Sequence, residues 1–173
     1  MEVIMIYELT VPQFVKTLKN LNAILDKAAG FADSKKFDMA VLLESRLAPD
    51  MLPFVRQIQI TCDTAKLGAS RLTGKAAPAQ EDNEKTLSEV KARIESTIAY
   101  LQTMKVEDYQ KAATAIVTTP RWEGKTLTGE QYAVHHVIPN FYFHVTTAYA
   151  ILRHNGVDIG KKDFLGEMPY KLP

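Results

Sequence analysis

The chain has 173 residues, is 46% hydrophobic and 24% charged, and carries 21 basic against 20 acidic residues. A net charge of +1 offers no electrostatic footprint for nucleic acid, and no apolar run is long enough for a membrane span. One domain over 1–173 is expected, of a size that builds a core without a disulfide or a structural metal.

Met1 to Gln13 lacks a basic leading segment and carries Glu2 and Glu8, which argues against a secretory signal. Cys62 is the only cysteine, so it has no internal disulfide partner and suits a reducing compartment. The expectation is a cytoplasmic protein. Helical patterns joined by short breaks, with no repeat and no low-complexity tract, make one domain the economical expectation.

The first long helix is expected from near Thr10, where Thr10 and Gln13 have capping-box spacing and Pro12 fits the first turn. Phe14, Leu18, Leu21, Leu25, Ala28 and Ala32 then recur on one helical face. A short helix follows around Asp38 to Glu44. The chain turns at Arg46 to Asp50, because Pro49 holds Ala48 extended; Arg46 and Asp50 read as a capping and salt-bridge corner. The second long helix is expected from about Pro49 to Thr73. Its stripe is Val55, Ile58, Cys62, Ala65, Ala69 and Leu72, and Gly74 is its C-terminal cap. Cys62, with no base beside it, reads as a small core residue.

Asp82 is the expected N-cap of the third helix, with Leu87, Val90, Ile94, Ile98 and Leu101 on its buried face and solvated Glu, Lys and Arg on the other. Beyond Met104 the pattern weakens into a small hairpin-like excursion: β-branched Ile116 to Thr119, a break over Pro120 to Gly124, then Lys125 to Leu127. Arg121 and Trp122 on it read as a surface or interface contact. The fourth long helix is expected from Thr128, in capping-box spacing with Gln131, to about Asn155. Pro139 should kink it and Gly156 should cap it. Val137, Phe141, His144, Val145, Ala148, Ile151 and Leu152 form a broad apolar stripe flanked by Tyr142 and Phe143. A helix apolar over that much of its girth is central or packs on a second subunit. The tail from Gly156 is expected to wrap over the bundle as coil. Four amphipathic helices make an all-α four-helix bundle, in which sites are built from inward-pointing polar side chains.

His136, Asn140 and His144 are spaced i, i+4, i+8 and share a helical face, drifting about 40° per step. His136 and His144 lie about 12 Å apart along the axis, and the adjacent His135 and His136 point about 100° apart, so neither pair shares a metal ion. His144 reads as a hydrogen-bonded core histidine or as part of a polar functional pocket. His154 suits the dipole at the helix end. There is no glycine-rich phosphate loop, HExxH helix, CxxC pair, GxSxG elbow or EF-hand loop.

Several segments are more specific: Lys27-Ala28-Ala29, Leu42 through Met51, Arg56-Gln57-Ile58-Gln59, Pro139 through His144, Ala150 through Gly156, and Asp163-Phe164-Leu165-Gly166. Over nearly its whole length the chain resembles an uncharacterised, chiefly bacterial family of unknown function within the DinB/YfiT-like metalloenzyme superfamily. The resemblance implies an up-down-down-up bundle, often dimeric, in which many members hold nickel or zinc with three histidines. Anchored on Leu152 to Gly156, it puts two of those positions at Asn140 and His144 and the third near Gln57; no histidine precedes His135.

One imidazole and two carboxamides hold zinc or nickel weakly. The pocket implied by Gln57, Asn140 and His144 is therefore expected to take a small polar ligand or water through hydrogen bonds. Asp50 or Asp63 would be the carboxylates able to restore a divalent-metal site around His144. Two readings follow. The first is a small-molecule-binding or structural homodimeric bundle with a degenerate metal site. The alternative is a metal-dependent enzyme, a thiol-linked transferase or hydrolase, using His144 with carboxylate ligands.

Overall fold

Helix begins earlier than the capping pattern suggests. In the computed structural model, which describes residues 2–171, Glu2–Thr10 already forms a helix, α1. The box between Thr10 and Gln13 does not form. Thr10 Oγ1 instead donates to the Ile6 carbonyl at 2.7 Å, and Val11 is itself right-handed helical. Val11 N–H reaches Tyr7 O at 2.8 Å and Val15 N–H reaches Val11 O at 2.9 Å, so the backbone runs almost unbroken into α2, Pro12–Lys35. A short α3, Ala40–Leu43, follows an Asp38 carboxylate that accepts the Ala40 N–H.

The second long helix, α4, spans Phe54–Thr73 and not Pro49 onward. The reason is a second proline: Pro53 keeps Leu52 extended as Pro49 keeps Ala48, so the helix starts only beyond it. Gly74 closes α4 in the left-handed conformation, φ +76°, with its N–H on Ser70 O. The third, α5, spans Leu87–Gln102 and is capped by a Thr86–Glu89 box, not by Asp82, whose carboxylate is held by Arg56 and Arg93. The excursion forms the expected hairpin, β1 at Ile116–Val117 antiparallel to β2 at Leu127–Thr128, with Ile116 opposite Thr128.

The last long element is a composite. The Thr128–Gln131 capping box opens α6, Gly129–Tyr132. A π-helical turn occupies Ala133–Val137, and α7 runs Ile138–His154. Pro139 falls in the first turn of α7, and the π turn before it absorbs the disruption that a proline brings to a regular helix. At the far end Gly156, φ +96°, permits a Schellman closure: Gly156 N–H bonds Arg153 O and Val157 N–H bonds Leu152 O, both at 3.1 Å. The tail is not all coil. Lys161–Leu165 forms α8, docked on α2 through Asn20 Nδ2 to Phe164 O at 3.0 Å and Lys27 to Asp163 at 2.6 Å.

Side-chain pairs fix the direction of each helix. Along α2 and α5, Asn22 meets Glu95 and Asp26 meets Lys91, an antiparallel order. Along α4 and α7, Gln57 meets His144 and Thr64 meets Asn140, also antiparallel. Asp63 meets Arg93 and Lys75 beyond α4 meets Asp108 beyond α5, so α4 and α5 are parallel. The result is an up-down-down-up bundle. Parallel neighbours need a return path as long as the helix, about 30 Å for the 20 residues of α4; the segment Gly74–Thr86, extended, reaches about 40 Å.

The core lies between all four helices. Phe14 stacks on Phe141 with centroids 3.9 Å apart, and Tyr142 sets its edge against Phe14. The broad stripe of α7 is thus satisfied within one chain, between α2 and α4, leaving Phe143 (59% exposed) and Val134 (54%) outside. Among the described residues no helix is long and apolar enough to cross a membrane.

Candidate functional site

Polar residues recur on α4 every seven positions, Gln57, Thr64 and Arg71, and on the facing element every four, Tyr132, His136, Asn140 and His144. The two series meet as rungs along the α4–α7 seam. His144 Nδ1 is 2.7 Å from Gln57 Oε1, Asn140 Nδ2 donates to Thr64 Oγ1 at 2.7 Å, and Arg71 Nη1 donates to the Tyr132 hydroxyl at 2.9 Å. Between the last two rungs Gly68 faces Val137; a Cβ on Gly68 would stand 2.7 Å from Val137 Cγ1. The missing side chain lets the π turn settle against α4. A cleft of about 690 Å³ opens along this seam. The loop Thr119 to Trp122 forms its outer wall, and Arg56, Asp63 and Asp82 form its edge on the α5 side.

The imidazole of His144 is held in one tautomer. Gln57 Nε2 donates to Leu52 O at 2.9 Å, and a carbonyl can only accept. The other end of the carboxamide facing His144 is therefore the oxygen, so Nδ1 carries the proton. His144 is 9% exposed, and burial lowers its pKa below the ordinary 6.5. A neutral ring protonated at Nδ1 leaves Nε2 as a lone-pair acceptor on the side of the ring away from Gln57. Such a nitrogen accepts a hydrogen bond, or a proton, from a molecule in the cleft. Asn140 keeps Oδ1 without a partner among the described residues, a second acceptor one turn away.

The opposite end of the cleft is aromatic and cationic. His136 stacks on Tyr132 with centroids 5.4 Å apart, and Trp122 sets its edge against both rings. Burial, with help from the Arg71 charge, lowers the His136 pKa as well.

The α5 side differs. Arg93, 3% exposed, donates to Asp63 (2.9 Å), Asp82 (2.8 Å) and Glu84 (2.9 Å) and to the Glu81 carbonyl. Buried Lys66 adds Asp63 at 3.2 Å and Gln80 at 2.9 Å. Burial pushes Asp82 and Glu84 upward, but hydrogen bonds from Arg56 and Arg93 to Asp82, and from Arg93 and Gln59 to Glu84, hold both below their ordinary values. These contacts fasten the Gly74–Thr86 crossover onto the α4–α5 pair. The charged face of α5 is therefore not wholly solvated: Arg93 lies within it and is buried.

Gln57 and His144 are in contact, while Gln57 is buried behind the ring and does not line the cleft. Asn140 lines the cleft but bonds Thr64 and neither of the other two. Asp50 is exposed and away from the cleft, and the expected corner with Arg46 does not form: Arg46 donates to Met51 O at 3.3 Å. Asp63 reaches the cleft with its carboxylate committed to Arg93 and Lys66. Cys62 is fully buried, and burial pushes its thiol up to about 12, so it is no nucleophile. His154 is exposed in the last turn of α7. Arg121 and Trp122 line the cleft, beyond the surface role expected for them, and Thr64 and Arg71 were not anticipated. The seven-residue repeat from Gln57 is the signal that would have found the last two.

A zinc or nickel ion does not fit this donor set. Gln57 Oε1 is already occupied by the imidazole N–H, and no group of three His, Cys, Asp or Glu among the described residues is placed to hold a metal.

The family model described as "Domain of unknown function (DUF1993)" matches residues 6–165. The chain is also similar to a crystal structure of a DinB family member protein from Shewanella denitrificans. The two are 58% identical, with a TM-score of 0.96 over 99% of this chain and 97% of that one. No curated protein matches the chain.

Proposed function

The chain belongs to the DUF1993 family of unknown function, and on that footing we propose that it binds a small polar organic molecule directly in the α4–α7 cleft. The observation that carries this reading is the chain Leu52 O, Gln57, His144 Nδ1. It fixes a neutral imidazole whose Nε2 accepts from a hydroxyl or N–H, and Asn140 Oδ1 stands as a second acceptor. A buried imidazole and a half-buried carboxamide that hold open hydrogen-bonding valences toward one cleft are the mark of a polar ligand site. The alternative, a divalent-metal transferase or hydrolase built on His144 and carboxylates, finds no support in the donor set.

Untagged protein titrated with zinc or nickel and then dialysed tests the distinction. Metal well below one equivalent is expected, with no rise in thermal midpoint. One tightly held equivalent that His144→Ala removes would end the direct-binding reading. We also propose a homodimer, supported by the exposed apolar side chains of Ile4, Met5 and Leu9 on α1 and of Val134 and Phe143. Sedimentation at micromolar concentration should show the dimer, and a monomer there would remove it.

A further inference from the structure

We propose that the end of the cleft remote from His144 is an oxyanion subsite, formed by Arg71 and Arg121 beside the Trp122, Tyr132 and His136 rings, and that the ligand carries a carboxylate or phosphate there. The inference rests on the cleft being a ligand site and adds the chemical class of what it takes.

Charge matching carries the argument. Around the α5 edge three cations, Arg56, Lys66 and Arg93, are matched by three carboxylates, Asp63, Asp82 and Glu84. Two guanidiniums that line the cleft remain, Arg71 and Arg121, and neither has a carboxylate partner among the described residues. Arg71 gives one N–H to the Tyr132 hydroxyl and sits 6.0 Å from the centroid of that ring, which orients the fork without neutralising it. Arg121 is exposed on the wall opposite, next to Trp122. Two uncompensated guanidiniums beside an aromatic wall are suited to an oxyanion with an apolar body, because the fork bonds a carboxylate or phosphate through two oxygens. His136 marks this end, about 12 Å along the helix from His144, with Asn140 midway. A ligand anchored here by its anion extends along the seam toward the two acceptors.

Trp122 is the only tryptophan, so its fluorescence reports this end alone. Phenyl phosphate and benzoate are the probes, and benzyl alcohol is the uncharged control. A saturable change in Trp122 emission is expected with at least one anion, and the one that binds more tightly tells phosphate from carboxylate. Benzyl alcohol should give no change. Arg121→Gln should weaken the anion about tenfold, the loss of one charge-assisted bond; Arg71→Gln should do the same. Arg121 is exposed, so that variant tests the proposal even where Arg71→Gln, which also loses Tyr132, fails to fold. No saturable change, an equal response to benzyl alcohol, or unchanged affinity in Arg121→Gln would overturn the subsite. The imidazole resonances of His144 are read in parallel. A null at Trp122 alongside ligands that still shift those resonances removes the anion subsite alone, whereas silence at both ends removes the cleft reading with it.

Discussion

The two flanks of α4 hold polar groups for opposite reasons. Toward α5, the two Nη groups of buried Arg93 and the Lys66 ammonium are matched by carboxylates, each carboxylate there is claimed at least once, and the buried Arg93 Nε is left without a partner among the described residues. Toward α7, the polar residues are arranged so that one bond fixes each side chain and another valence stays open: His144 keeps Nε2, Asn140 keeps Oδ1, and Arg71 keeps most of its fork. The first pattern is charge-matched and fastens a crossover that parallel helices require. The second is open and faces a cavity. Charge matched by charge around a crossover speaks of architecture; polarity left half-satisfied toward a cavity on a rigid support speaks of a ligand.

The sharpest way to break the contrast is Arg93→Met. It strips the α5 flank of its central cation and leaves three carboxylates facing one another. Partly exposed carboxylates soften the penalty, so a loss of about 3 kcal/mol is expected from urea unfolding, or roughly 6–12 °C in Tm. Phenyl phosphate binding at Trp122 should survive at a temperature where the variant is folded. If stability barely changes, the charge-matched flank is not a fastening.

Gln57→Leu probes the open flank and should cost less, about 1–2 kcal/mol, since it leaves a buried imidazole N–H without its acceptor. Its more telling readout is the 15N spectrum of the ring: the single Nδ1–H tautomer should give way to a mixture. A ring that stays in one tautomer would show that Gln57 is not what sets it.

Acid separates the two flanks with the smallest effect. His144 and His136 have pKa values below the ordinary 6.5, chiefly through burial. Between 6.5 and those lowered values the unfolded chain takes up protons that the folded one refuses, so stability present above pH 6.5 declines as the pH falls through that window. Asp82 and Glu84 are also lowered, and their contribution is lost only further down, below the ordinary carboxylate range. Urea midpoints from pH 7 to pH 3 should fall in two steps, and His144→Gln should shrink the upper one. A profile flat between pH 7 and pH 5 contradicts the lowered pKa of both imidazoles.

Helix faces were legible because burial writes its period into Val55, Ile58, Cys62, Ala65 and Ala69, each of them buried. Starting points were less so. Thr10 and Asp82 are good caps in isolation, yet one bonds back to its own helix and the other is taken by arginines from two helices. Local pattern cannot see such competitors. Arg93 escaped for a related reason: on a helix rich in Glu and Lys, a buried cation differs from a solvated one only through the loop folded over it. At the site, resemblance pointed to Gln57 beside His144, and the two are in contact. Trp122 was out of reach, since only tertiary folding lays the hairpin and the π turn along the same seam.

That wider turn has an angular consequence. Twelve regular α-helical steps from Tyr132 to His144 would rotate the second side chain about 120° from the first. Five residues at roughly 4.4 per turn, the winding of an i→i+5 helix, take back about 90° of that. Tyr132, His136, Asn140 and His144 can therefore all look the same way. With regular winding over those same twelve steps, the aromatic end and the imidazole end would swing about 120° out of phase, dividing one continuous polar face into two unrelated halves.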